Sequence, residues 1–494
     1  MSATSDNSLN LLEEQFEIKK LNLIFSKLKR SSAKGIDRID IEKFESFKQK
    51  KIKNSNENLY QEQIKVIHNK CRSGEYKFAP YLEKLQSKGR GKEPRVIGIP
   101  TVRDRIALYA LKEILSTKFD DCVRRKLADT YIYEIKKILE KQQDYSKLAV
   151  FRTDIQNFYG SIDRAVLQKK LQSKLRCEQT LKLLKQAIEN PIVPKNYKRD
   201  NKKHYKTKKG IPQGISISNL LADIYLQDLD KDMKKHCENN IGNYFRYVDD
   251  IIIISDRQHI YKLTKQLKHN LRKIELKLSP NKTRLWTNKI KEIKFDYLGY
   301  RFELLEIPSR LNITVRSSTV EKFIESIAGK FANYRYYKKL KTKHYQDLDL
   351  DLFKKRFILQ LNERITGAIA DNKRYGWLFY FSAINDKSLL YKMDKIIASF
   401  FTRLEDFNGQ PPKELKKLSK TYHKIIYKDR LEDGYIHDYR KYKNIEDKGI
   451  FLIERGKEDP NEIKKYSDLK VNEEFEKLKN QNLSQLEKDN ANMY

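Results

Sequence analysis

The chain has 494 residues, of which 103 are Lys or Arg and 67 are Asp or Glu, leaving a formal charge of +36. That length implies about three or four structural units, and 39% hydrophobic content with 30 Tyr, 22 Phe and 2 Trp supplies enough core material to exclude a disordered chain. No apolar run approaches the roughly 18 residues that span a bilayer, Met1 to Asn10 carries no signal-peptide core, and Cys71, Cys122, Cys177 and Cys237 are too far apart for a zinc knuckle or a disulfide framework. The expectation is a cytoplasmic protein with no membrane partner.

Residues 11–70 read as helical, with an apolar stripe through Leu11, Leu12, Phe16, Leu21, Ile24, Phe25 and Leu28, a turn at Ser31 to Gly35, and a second helix from Ile41 to about Lys51. Gly89 and Gly91 flank Arg90 in a basic tip, and Arg95 to Ile99 reads as a strand leaving it. Thr101 to Lys118 returns to helical spacing. Short strand-like runs follow: Leu148 to Phe151 leading to Asp154, then Tyr244 to Val248 and Ile251 to Ile254 on either side of Asp249 and Asp250, then Tyr297 to Tyr300. Helical segments separate them, so the class is α+β with a small, mostly antiparallel sheet. After about Ser317 the pattern is helical almost throughout, including Val320 to Tyr334, Phe353 to Ile369 and Leu389 to Leu404.

A surplus of 36 positive charges repels itself unless an anionic partner is present. Lysine- and tyrosine-rich stretches at Lys195 to Lys209, Arg335 to Lys343 and Lys413 to Lys428 suit phosphate contact combined with base stacking. A solvated lysine-rich surface, of the kind an AT-rich genome encodes, explains any one of them equally well. The total favours nucleic acid, with a membrane surface second.

The two apolar runs joined at Asp249 and Asp250 describe a β-hairpin that presents both carboxylates at its turn. Adjacent acids on a rigid turn are costly unless a divalent cation neutralises them, although a solvated Asp-Asp turn is common. Asp154, at the end of a neighbouring strand, would complete a cage for two Mg²⁺ ions clamping an in-line phosphoryl displacement. Asp163, on the following helix, is read as structural. In Gly210-Ile-Pro-Gln213-Gly214 the glycines let backbone approach a ligand closely, and Ser216 is placed to cap the helix that follows. The aromatic run Arg374 to Phe381 is either a stacking platform or, more simply, a helix packed into the core.

Taken in order, Asp154-x-x-x-Phe158-Tyr159, Gly210-Ile-Pro-Gln-Gly214, Tyr247-Val-Asp-Asp250, Ser279-Pro-Asn-Lys282-Thr283 and Phe295-Asp-Tyr-Leu-Gly-Tyr300 resemble the palm, lysine and primer-grip motifs of the reverse transcriptase family. Gly35-Ile-Asp37 and Arg95 to Arg105 resemble the fingers elements of its group II intron-related bacterial branch. The resemblance implies a right-hand polymerase: an N-terminal helical region (1–75), fingers and palm (76–316), a helical thumb (317–405) and an α-helical C-terminal extension (406–494). It implies RNA-directed DNA polymerase activity, with Asp154, Asp249 and Asp250 as ligands of two Mg²⁺ ions (Mn²⁺ as a substitute) and Asp249 the more directly coordinating of the hairpin pair. It places Lys88 and Arg95 on the triphosphate, Tyr159 against the sugar as a gate excluding a 2′-hydroxyl, Gln213 and Gly214 beside the templating pair, and Lys282 as a general acid to the pyrophosphate.

Within the family, the cysteine spacing excludes the zinc-bearing endonuclease of many group II intron proteins. The retron insertion motif and thumb Val-Thr-Gly element are not found as such (Ile365-Thr366-Gly367 lies late), and no ribonuclease H constellation follows Ser317. The Gly210 to Asn219 wording with a helical C-terminal part is similar to the defence-associated and abortive-infection reverse transcriptases. That subgroup implies a structured non-coding RNA as template, dNTPs as substrates, a DNA product, a role against phage, and for several members a homo-oligomer. Some relatives prime on a tyrosine; Tyr494 is a conceivable candidate. A maturase-like RNA-binding protein, a retron-type enzyme and a template-independent terminal transferase are the alternatives.

Overall fold

The computed structural model describes residues 6–28, 33–52, 55–87, 91, 93–198, 204–287, 292–305, 310–344, 349–427, 433–456 and 460–491. They fall into two compact units, residues 1–126 with 148–286, and residues 127–147 with 287–494. The class is α+β, as the residue patterning implies.

The first unit opens with α1 (Asp6–Gln15), α2 (Ile18–Lys27), α3 (Ile41–Glu45) and α4 (Leu59–Arg72). Asp40 caps α3, and Asn58 with Gln61 forms a capping box on α4, so local chemistry sets both starts. Strands β1 (Tyr81–Gln86) and β2 (Arg95–Ile99) form an antiparallel hairpin; its tip residues Lys88, Gly89 and Arg90 lie outside the described residues. The apolar faces of α1, α2 and α4 pack on α5 (Val102–Lys118), burying Leu12, Phe16, Leu21 and Ile67 completely. Asp104 of α5 is itself buried and accepts from the Tyr76 hydroxyl at 2.7 Å and the Ala79 amide at 3.1 Å, which fixes the chain entering β1.

Helix α6 (Ala128–Glu140) belongs to the second unit. The first resumes with β3 (Leu148–Asp154), α7 (Phe158–Ser161), α8 (Arg164–Lys174), α9 (Glu178–Glu189), β4 (Ile192–Val193), α10 (Ser218–Asn239), β5 (Gly242–Tyr247), β6 (Asp250–Asp256), α11 (Arg257–Lys273) and β7 (Arg284–Trp286). Strands β5, β6, β3 and β7 form, in that order, a fully antiparallel sheet. Ile251 to Ile254 of β6 are all buried, which explains a continuous apolar run where a one-sided strand would alternate. At roughly 1.5–3 kcal/mol for each buried side chain, these four residues anchor β6 in the sheet interior.

In the second unit β8 (Glu292–Tyr297), β9 (Tyr300–Leu305) and β10 (Arg310–Val315) form an antiparallel sheet. The β8–β9 turn is the two residues Leu298 (φ 47°) and Gly299 (φ 84°), the positive-φ pair that tight hairpins require. Then come α12 (Ser317–His344) and α13 (Leu350–Thr366). The helix expected to run to Ile369 ends at Thr366, because Gly367 turns the chain at φ 73° into β11 (Ala368–Ala370). This strand pairs antiparallel with β12 (Lys373–Tyr375) and parallel with β13 (His437–Asp438), so the region beyond Ser317 is not purely helical.

The remaining helices are α14 (Trp377–Tyr380), α15 (Lys387–Ser399), α16 (Leu418–Ile426), α17 (Ile445–Arg455), α18 (Pro460–Lys464) and α19 (Asp468–Ala491). Trp377 and Phe381 are 1% and 0% exposed and pack against each other at 4.7 Å with a tilt of 48°, so the aromatic run is core and not a platform. Ala368, Ala370, Tyr439, Phe451, Phe475 and Leu486 share one cluster, which ties the C-terminal helices to β11.

Candidate active site

The pairing of β3 with β6 sets Asp154 directly opposite Asp250. Tyr247 pairs with Asp250 across β5–β6, so the hairpin turn consists of Val248 and Asp249. The Ile155 amide donates to the Asp249 carbonyl at 3.1 Å and stitches the end of β3 to that turn. Three acids separated by almost a hundred positions therefore meet at one end of the sheet, and each occupies its place because burial of the isoleucine run locks the register.

Their electrostatics differ. Burial raises the Asp249 carboxyl, with the Asp154 charge adding to it; Lys282 and Arg95 pull the other way. Burial pushes Asp250 up to about 6 against the opposing pull of Arg152, whose guanidinium grips it with two hydrogen bonds of 3.0 and 2.9 Å. Asp154 is ion-paired to Lys282, whose side chain is 63% exposed. Among the described residues no side chain hydrogen-bonds the Asp249 carboxylate.

Val248 adopts φ 58°, a conformation that costs a β-branched residue about 1–2 kcal/mol. Arg246, 7% exposed in its side chain, offsets this by donating from Nη1 to the Val248 carbonyl at 2.7 Å. The same guanidinium reaches Asp230 through Nε at 2.8 Å and Asp223 through Nη1 at 3.1 Å, both on α10. Arg124 donates to both oxygens of Asp223 at 2.8 and 2.9 Å and lies 4.7 Å from the Tyr247 ring centre. The turn bearing Asp249 is thus braced to α10 by a closed charge network. Sequence reading missed Arg124, Arg152, Asp223, Asp230 and Arg246. The available signal was an arginine inside the β3 and β5 runs, since a charge in such a place must be paired.

The Gly210 to Gly214 loop lies between two parts of the site. The Gly210 amide donates to the Ile162 carbonyl and the Ile211 amide to the Tyr159 carbonyl, both at 2.8 Å. The Gly98 amide of β2 donates to the Gln213 carbonyl at 2.7 Å. Gly214, at φ 103°, approaches β2 so closely that a Cβ would lie 2.5 Å from an Ile97 methyl. The Tyr159 hydroxyl donates to Asn219 Oδ1 at 2.6 Å, and burial pushes its pKa up to about 12. Lys282 sits on a short turn held to the end of β3 by the Ser279 amide, which donates to the Asp154 carbonyl at 2.7 Å.

Asp163 caps α8 through the amides of Ala165 and Val166, the structural role expected for it. Ser216 does not cap α10: Ile217 holds the N-cap position, Ser218 Oγ turns back to the Pro212 carbonyl, and Ser216 Oγ is buried without a hydrogen bond. The bend forced by Pro212 and Gly214 brings the chain into the helix one residue too late for Ser216 to reach its free amides. Arg95 contributes to the field at Asp249, while Lys88 lies outside the described residues.

Asp154 and Asp249 offer hard oxygen donors at a place where burial and like charge disfavour two free anions. This is the donor set of a divalent cation such as Mg²⁺, which is ordinarily held by one or two carboxylates with substrate phosphates completing its shell. Among the described residues no group of three or more His, Cys, Asp or Glu is arranged to hold a metal, in keeping with Asp250 being engaged by Arg152.

Residues 86–302 match the family model described as reverse transcriptase (RNA-dependent DNA polymerase). Among curated proteins the chain is similar to the group II intron-encoded protein LtrA of Lactococcus lactis subsp. cremoris, 24% identical over 219 residues, or 44% of this chain and 35% of the relative. The protein of the same name from strain MG1363 matches with the same figures. The chain thus spans only 35% of the length of the curated relatives it matches. Among solved structures, telomerase from Candida albicans in complex with a fragment of telomeric RNA aligns with a TM-score of 0.42 at 15% identity, covering 68% of this chain and 64% of that one. Apo telomerase from Candida tropicalis aligns at 0.39 and 14%, covering 78% and 64%.

Proposed function

We propose that this chain is an RNA-directed DNA polymerase that joins deoxynucleoside triphosphates on an RNA template, a reading supported by the match of residues 86–302 to the reverse transcriptase model and by the similarity to LtrA. The observation that carries this reading is the β3–β6 register, which sets Asp154 opposite Asp250 beside the braced Asp249 turn. In this reading residues 76–316 act as fingers and palm, 317–405 as the thumb and 406–494 as an extension of it.

Asp154 and Asp249 would hold two Mg²⁺ ions, or Mn²⁺ in their place, while Asp250, expected as a third ligand, is held by Arg152. Bound there, the ions supply charge neutralisation at the phosphates and acidify the primer hydroxyl. Arg246 holds the turn that carries Asp249, so the carboxylate is in position before substrate arrives. Tyr159, fixed by Asn219, would pack against the sugar and exclude a 2′-hydroxyl. Gln213 and Gly214, seated on β2, shape the surface under the templating pair. Arg95 and Lys88 bind the triphosphate. Lys282, released from Asp154 as phosphates enter, passes a proton to the departing pyrophosphate.

A structured non-coding RNA is the proposed template and phage defence the proposed setting, resting on the resemblance of the Gly210 to Asn219 motif and the helical C-terminal region to that subgroup. Primer extension on a defined RNA with all four dNTPs tests the chemistry: templated DNA that disappears in Asp249→Asn supports it. Untemplated addition would favour a terminal transferase, and tight RNA binding without synthesis a maturase-like protein. Sequencing the nucleic acid that copurifies with the protein tests the choice of template.

A further inference from the structure

We propose that the groove between α15 and α16 is a binding site for single-stranded nucleic acid, built wholly from the second unit and independent of the polymerase reading. The groove has a volume of about 400 Å³, in the range of small-ligand sites, roughly 300–1,000 Å³. Helical spacing makes its walls. Lys387 and Tyr391 are four residues apart on one face of α15, and Lys420, His423 and Tyr427 follow at intervals of three and four along α16 and its C-cap. Buried Leu390 and Tyr422 form the floor.

Two features select the occupant. The first is aromatic surface held open to solvent. Tyr391 and Tyr427 are 59% and 55% exposed, and the Tyr427 ring packs against His423 at 4.5 Å with a tilt of 41°, leaving ring faces open to solvent. The second is positive charge in excess of the neighbouring acids, which already hold other groups; Lys420 itself lies over the Tyr435 ring at 4.9 Å. Asp394 caps α16 by accepting from the Leu418 and Ser419 amides at 2.7 and 3.1 Å. Asp433 pairs with Lys424, and Asp386 accepts from Thr314, Ser388 and the Leu389 amide. Lys387 and Lys420 make no ion pair among the described residues. Rings that stack any base, interleaved with cations that track a backbone, are the recognition chemistry of single strands; an acidic peptide would use the lysines and leave the rings idle.

The test uses the full-length protein carrying Asp249→Asn, without nucleotides, so that its outcome does not depend on synthesis. Twelve-residue oligo-U and oligo-dT bearing 5-iodouracil are cross-linked to it and the adducts mapped, the two arms distinguishing RNA from DNA as the source. Adducts on Tyr391, His423 or Tyr427 are expected. By anisotropy, Tyr391→Ala and Tyr427→Ala should each weaken binding of these oligonucleotides about tenfold. The double variant Lys387→Gln/Lys420→Gln, both at exposed positions, should lower the slope of log affinity on log salt by about 1.4. Adducts confined to residues 1–126 and 148–286, or protection of the groove tyrosines by poly-glutamate but not by unlabelled oligonucleotide, would overturn the proposal.

Discussion

The centres of the two units both bury carboxylates, and they leave them in opposite conditions. In the second unit Glu363, on α13, is 4% exposed and accepts from the Tyr439 hydroxyl at 2.6 Å and from Arg455. Tyr439 is in turn bonded by Asn482, and Arg455 reaches His437 Nδ1 at 3.2 Å. Burial and the Arg455 charge push the His437 pKa down to about 2, so the ring stays neutral. Both oxygens of the Glu363 carboxylate are thus satisfied within the fold. In the first unit closure stops one step short: Asp250 has Arg152, Arg246 has Asp223 and Asp230, but Asp249 has no side-chain donor among the described residues, and Asp154 has a lysine that is mostly in solvent. A closed buried network holds a fold together, whereas an acid left short inside a braced turn is a place for chemistry.

The comparison can be broken by exchanging the two conditions. Asp249→Asn should cost about 10⁴-fold or more in nucleotide incorporation. Its melting temperature should hold or rise, since the repulsion with Asp154 is removed; a large loss of stability with retained synthesis would contradict the assignment. Glu363→Ala should do the reverse. It strands Arg455 without its counter-charge and should cost about 3–5 kcal/mol in urea unfolding, while incorporation per folded molecule stays close to that of the parent.

Smaller effects sharpen the picture. Arg246→Lys keeps the charge but loses the planar fork that holds the Val248 carbonyl and α10 together. Steady-state kinetics should show kcat falling about 10²-fold with little change in KM, because the turn is misplaced and not removed. A change in KM alone would mean that the brace serves substrate binding instead. Tyr159→Ala should lower discrimination between deoxy- and ribonucleotides about tenfold in competition assays, with a modest effect on the deoxynucleotide rate.

Much of the candidate site was legible because its signals are local. Short apolar runs announce β3, β5 and β6, a two-residue break announces the hairpin, and glycines announce a close backbone approach at residues 210–214, read as made to a ligand and found to be made to β2. The partners were not legible, because they lie far away in the chain. Arg152 meets Asp250 across 98 positions, and Arg246 finds Asp223 23 positions back on a helix whose rotation no local pattern reveals. Ser216 failed as a cap for a related reason: the helix start was set one residue later by the Pro212–Gly214 bend.

The amino-acid order by itself determined the α+β class, the segments that become strands, the acids placed at their ends and the resemblance to reverse transcriptases, because each of these is written within a window of a few residues. Tertiary structure alone decided which acid keeps a partner and which goes without. It also drew residues 127–147 and the C-terminal helices into the second unit, and broke α13 at Gly367 to make a small sheet. Those outcomes depend on which buried charges and apolar faces find each other once the chain is compact, a competition among distant groups that local spacing does not encode.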